Sequence, residues 1–220
     1  VKQKPRLEEY CGPRAALLVV DVQNDFCPGG ALAVPAGNDV VEPINRLAAR
    51  FENVILTQDW HPRAHASFAS SHPGRKPFER IRLRYGVQVL WPDHCVQGST
   101  GAAFHPVLDV PHAQLVLRKG YHAGIDSYSA FLEADRRTRT GLAAWLRERG
   151  IRTVVVAGLA TDFCVAWTAL DARRFGFRCA VVEDACRAID LAGSLARAWR
   201  AMTRAGVLRL GLADLLGATP

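Results

Sequence analysis

Six β-branched and leucine-rich runs, at 15–20, 53–58, 114–118, 152–157, 178–182 and 207–210, do not alternate polar with apolar residues. Strands buried on both faces in a parallel sheet read this way. Between the runs, apolar residues recur at helical spacing. After Asp39, residues Val40, Ile44, Leu47, Ala48 and Phe51 share one face, with Pro43 tolerated because it lies near the first turn. Thr140 can cap a helix carrying Leu142, Ala143 and Leu146 that closes at Gly150, and a helical run from Phe163 to Phe175 ends at Gly176. A further helix with Leu191, Leu195, Ala198 and Met202 on one face ends at Gly206. Strands joined by such crossovers predict an α/β fold, a three-layer α/β/α sandwich with a six-stranded, mostly parallel sheet.

With 220 residues, 49% of them hydrophobic, the chain can bury a substantial core, and its length suits one domain over 1–220. Residues 1–13 form a candidate N-terminal arm. The connection 60–113, rich in Pro, Gly, His and Arg, is too long for an ordinary loop and reads as a lid and metal-bearing segment. No apolar stretch approaches the roughly 20 residues of a membrane span, and no hydrophobic signal region follows the N-terminal charges, so a cytoplasmic location without membrane contact is expected. A net charge of +7 would suit nucleic acid if the basic residues clustered, but the arginines between 173 and 209 are spread without aromatic interleaving. That spread excludes a nucleic-acid partner from the expectation. Six cysteines without a C-x-x-C pair read as free thiols, Cys179 and Cys186 as packing against the sheet. Homo-oligomerisation is left open.

Four of the apolar segments end in chemistry: AALLVVD at Asp21, NVILTQD at Asp59, AQLVLRK at Lys119 and TVVVAGLATDFC at Cys164. The carboxyl ends of parallel strands line one edge, so these groups are expected to share a crevice. Cys164 falls in the first turn of a predicted helix capped by Thr161 or Asp162, where the helix dipole would favour a thiolate and free N–H groups could hold an oxyanion. Asp21 ends a buried run and needs a partner, which suits a general base for the thiol proton. Asp25 reads as a loop hydrogen-bonding residue. Alternation turns Lys119 inward and Arg118 to solvent, and an ammonium there would hold Asp21 and the sulfur ionised. Asp59 and His61 project the same way after a strand, and with His94 they form a carboxylate and imidazole set suited to a divalent metal, zinc first, with manganese or iron as alternatives. His65 is an ambiguous fourth candidate.

The segments VVDVQNDFCPGGALAV, TQDWHPRAHASFA, WPDHCVQGSTGAAFHP, RKGYHAGIDSYSAF and VAGLATDFCV together resemble the nicotinamidase (pyrazinamidase) branch of the isochorismatase-like cysteine hydrolases, from about Ala15 to about Leu212. The resemblance implies a catalytic triad of Asp21, Lys119 and Cys164, a metal held by Asp59, His61 and His94, and a cis peptide bond between Leu159 and Ala160. It further implies an oxyanion site at the N–H groups of Ala160 and Cys164, and a pyridine ring flanked by Phe26 and Trp91. Nicotinamide is the implied substrate, with pyrazinamide beside it and a role in NAD salvage. Another small amide or carbamoyl compound is the alternative.

Overall fold

The computed structural model describes residues 7–217. In chain order its regular elements are β1 (Ala15–Val20), α1 (Val41–Ala48), β2 (Asn53–Asp59), β3 (Arg80–Leu83), β4 (Gly86–Val89), β5 (Leu115–Lys119), α2 (Leu142–Glu148), β6 (Thr153–Leu159), α3 (Ala166–Arg174), β7 (Arg178–Arg187), α4 (Ser194–Arg204), β8 (Leu208–Leu210) and α5 (Leu212–Leu216). Six strands form one sheet in the order β5-β2-β1-β6-β7-β8, and every neighbouring pair is parallel. Successive residues of β1 alternate between two cores. Ala15, Leu17 and Val19 meet α1 and α5 on one face, while Ala16, Leu18 and Val20 meet α2, α3 and α4 on the other. The three layers follow from that alternation.

Four expectations need correction. The runs at β5 and β8 are edge strands and only half-buried, with Val116 47% exposed. Continuous hydrophobicity therefore does not distinguish an edge from a centre. The run at 178–182 continues to Arg187 through a bulge: Val156 faces Val181, but Gly158 faces Cys186. Gly158 sits at φ +123, and a Cβ there would run into the Val20 backbone, so β1 and β6 approach this closely only at a glycine. Within the long connection the chain forms the antiparallel hairpin β3–β4, and near the C-terminus the short α5, neither of which the periodicity reveals. Finally, the candidate arm is packed where it is described: Leu7–Tyr10 form a 3-10 turn, and Tyr10 and Cys11 are buried. Residues 1–6 lie outside the described residues.

Thr140 does take up a helix-start amide, accepting from the Leu142 N–H at 3.2 Å. Among the described residues no helix is long and apolar enough to cross a membrane.

Candidate active site

Parallel pairing in register sets Asp59 opposite Lys119 on the neighbouring strand, and β1, between β2 and β6, delivers Asp21 to the same edge. Asp21 adopts φ +50, a left-handed conformation that aspartate tolerates better than most residues. Lys119, 1% exposed, is the centre of the cluster. Its Nζ lies 2.8 Å from Asp21 Oδ2 and 2.7 Å from Asp59 Oδ1, and it donates to the Ser127 carbonyl at 2.9 Å. Those three acceptors use its three N–H bonds, and Cys164 Sγ stands at 3.4 Å as a fourth, weaker contact. Carboxylate oxygens of Asp21 and Asp59 and the Cys164 sulfur all lie within 4.8 Å of one another. As expected from alternation, Arg118 points outward, over the Trp60 ring at 3.8 Å.

Electrostatics divides the four groups. Burial opposes the charge on Lys119, but Asp21 and Asp59 outweigh it and hold the ammonium well above its ordinary 10.5. Burial also raises Asp59, yet Lys119 and His61 overcome it and keep this carboxylate well below 3.8. For Asp21 burial wins over Lys119, with the charge of Asp59 adding to it, so its affinity for a proton is raised. The thiol of Cys164 is pushed well above 9.0 by burial, which Lys119 offsets only in part while Asp21 and Asp59 reinforce it. This corrects the expectation of a resting thiolate. The local structure explains part of the difference, because Thr161–Val165 form a π turn ahead of α3, with no side-chain cap. Asp162 instead accepts from the N–H groups of Ile189 and Asp190 and from Ser194 Oγ, tying down the chain before α4.

Asp59 is two-sided. While Oδ1 faces Lys119, Oδ2 lies 3.3 Å from His61 Nε2 and 3.7 Å from His94 Nε2. Each imidazole places its Nδ1 against a carbonyl, Gly120 O at 2.9 Å and Pro92 O at 2.8 Å, and a carbonyl can only accept. Nδ1 therefore carries the proton in both rings. In their neutral forms both Nε2 lone pairs then face a carboxylate oxygen, an arrangement that calls for a cation between them. A buried N, N, O donor set with anchored second nitrogens fits a divalent transition metal. His65 differs. Its Nδ1 meets Ser67 Oγ at 2.7 Å and its Nε2 meets the carbonyls of His122 and Ile125 at 3.2 Å, so neither nitrogen is free for that cluster. Burial lowers its pKa to about 4, and it stays neutral.

Above Cys164 opens a pocket lined by Phe26, Trp91, Ala160, Asp59 and His94 from the expected set. Sequence reasoning missed Tyr128, Phe163, Ile189, Leu32 and Asp126, which complete the wall. Trp91 and Phe163 meet edge to face at 4.9 Å. The Leu159–Ala160 bond is cis, as the resemblance implies. The Ala160 carbonyl accepts from Phe163 and Val165, and the intervening Cys164 N–H is not among its donors. A wider hollow, at the amino ends of β6 and β7, is lined by Arg147, Arg152 and Arg178 and holds no thiol, imidazole or carboxylate.

Three supporting residues had no assigned role or only a general one. Gln23 grips the main chain of Asp59 from both sides, accepting from its N–H at 2.8 Å and donating to its carbonyl at 2.9 Å. Thr57 donates to Asp21 Oδ1 at 2.6 Å and accepts from the Asp21 N–H. Asp25, read as a loop residue, accepts from Cys95 N at 2.7 Å and from Ala31 N, so it pins the His94 loop to the segment after β1. The motif VVDVQND held this information only as polar residues after a strand.

Comparison with known proteins places these observations. Residues 15–211 match the model of the isochorismatase domain. A nicotinamidase of Acinetobacter baylyi is 57% identical over 91% of this chain and 94% of its own length. The solved structure of an Acinetobacter nicotinamidase and pyrazinamidase superposes with a TM-score of 0.92 at 61% identity, covering 93% of this chain and 99% of that one. A pyrazinamidase of Pyrococcus horikoshii solved in complex with zinc has a TM-score of 0.74 at 34% identity, over 90% and 99% of the two chains.

Proposed function

The chain belongs to the isochorismatase family as a hydrolase of the nicotinamidase branch, and from that premise we propose that it converts nicotinamide and water to nicotinate and ammonia through a thioester on Cys164. The observation that carries the proposal is the contact of one buried ammonium with Asp21, Asp59 and the Cys164 sulfur at the floor of an aromatic pocket. Because the thiol is neutral at rest, deprotonation accompanies attack. Asp21, whose proton affinity is raised, takes the thiol proton as sulfur bonds to the carboxamide carbon. Lys119 offsets the negative charge that then moves between sulfur and carboxylate. The N–H groups of Ala160 and Cys164 hold the carbonyl oxygen as it becomes anionic. The C–N bond breaks, Asp21 returns its proton to the leaving nitrogen, and ammonia departs. Asp21 next takes a proton from water attacking the thioester, nicotinate leaves, and the proton returns to sulfur.

Phe26 and Trp91 flank the ring, and pyrazinamide, an isosteric diazine, fits the same walls. Asp59, His61 and His94 would hold the divalent metal, with zinc the first choice. When bound, it supplies a Lewis-acid anchor for the ring nitrogen. The product suits NAD salvage.

Ammonia release from nicotinamide by the purified protein tests the reading. Chelation should cut that turnover more than tenfold, with recovery on adding zinc, manganese or iron. Full turnover in protein shown metal-free by elemental analysis would remove the metal from the account.

A further inference from the structure

The β3–β4 hairpin touches the pocket indirectly, through one side chain. Of its eight strand residues only Gln88 is buried, at 1% exposure, and it does not itself line the pocket. Its Nε2, with two N–H bonds to give, has three acceptors in reach, Asp126 Oδ2 at 2.7 Å, the Val89 carbonyl at 2.7 Å and Tyr128 Oη at 3.0 Å, while its Oε1 accepts from Tyr85 Oη at 3.0 Å. Asp126 also accepts from the Ser127 N–H, and a carboxylate can only accept, which fixes the amide's orientation.

Tyr128 Oη also accepts from the Trp91 Nε1–H at 2.9 Å, so one phenol oxygen joins Gln88 to the indole. Trp91, Asp126 and Tyr128 all line the pocket, and Tyr128 lies 5.8 Å, centroid to centroid, from Phe163.

We propose that Gln88 is a positioning residue for aromatic amide binding: by holding Asp126 and the Tyr128 hydroxyl it fixes the Trp91 indole that this hydroxyl anchors, and with it the face that Trp91 turns to the bound ring. This rests on the reading of the pocket as an amide site. Gln88 makes no contact with the reacting atoms, so its effect belongs to binding rather than to bond breaking.

The test is steady-state kinetics of the metal-loaded enzyme with nicotinamide for Gln88→Leu, Tyr128→Phe, the double variant and Gln88→Glu, each with a melting curve. Gln88→Leu should raise KM about tenfold with kcat changed less than about twofold, the size expected for one lost buried hydrogen bond behind the wall that holds the ring. Tyr128→Phe should do the same, and the double variant should be no worse than either, because both remove one pathway. In Gln88→Glu the new carboxylate faces Asp126 and donates nothing at neutral pH; its KM relative to the parent should recover as acid protonates it. That series decides the matter if Gln88→Leu does not fold. A KM unchanged in folded Gln88→Leu, additive losses in the double variant, or a Gln88→Glu deficit indifferent to pH would overturn the proposal while leaving the amidase reading intact. A parent enzyme that neither binds nicotinate nor turns over nicotinamide would overturn both.

Discussion

Cys164→Ala protein is expected to fold normally and release no ammonia from nicotinamide, a loss of at least about 10⁴-fold. Sulfur is the only atom removed, and the site keeps its Lys119, Asp21 and Asp59 ion pairs, so the melting temperature should move by only a few degrees. The informative control is Cys179→Ala. That thiol is likewise buried, and burial raises its pKa to about 12, but it sits near the start of β7, opposite Val154 of β6, and does not line the pocket. Its loss should leave turnover unchanged. The pH profile adds a second check. Burial raises Asp21, which must be ionised to accept the thiol proton, so the acid limb of kcat/KM should lie above the ordinary carboxylate value of 3.8. Substantial ammonia release by Cys164→Ala would end the assignment of the nucleophile.

Lys119→Met should be inactive and also markedly less stable. The substitution leaves two carboxylates within a few ångströms of each other, buried and without their shared cation. Removing one partner of a buried ion pair typically costs about 3–5 kcal/mol, and here two partners are stranded. The sign of the pH dependence follows from the directions of the shifts. In the parent, Lys119 is raised, so its contribution is complete below 10.5 and is lost only as pH climbs through the raised value. Asp59 is lowered, so its contribution is present above 3.8 and is lost as pH falls through the depressed value. Without Lys119 the stranded carboxylates bind protons more tightly folded than unfolded. The deficit of the variant should therefore be largest at neutral pH and shrink as acid neutralises one of them. Urea denaturation of metal-free parent and variant across pH measures this; equal stability at neutral pH would mean that the ammonium does not hold the cluster together.

What could be read in advance was what depends on local pattern. Asp21, Asp59 and Lys119 announce themselves because a charged residue ending a buried strand must be compensated, and parallel pairing then brings Asp59 opposite Lys119. The proton affinity of Cys164 could not be read that way. Helix-start chemistry argues for a thiolate, but burial and two neighbouring carboxylates, which only the assembled site reveals, reverse the sign. His65 shows the same limit, since spacing nominates it as a ligand and only the fold shows both of its nitrogens engaged. The hairpin that carries Gln88, the π turn and the bulge in β7 leave no periodic trace, because each is a departure from period at a place where packing outweighs propensity.

Asp59 has the widest consequence. One of its oxygens faces the ammonium and the other faces the two imidazoles, so in the proposed mechanism a single carboxylate joins ring recognition to proton transfer. An engineer who exchanges it to recruit a softer ion would also alter the balance that keeps Lys119 charged beneath the sulfur. On the proposed mechanism, metal preference and reactivity would have to be retuned together, with a compensating anion supplied near the lysine before Asp59 is replaced.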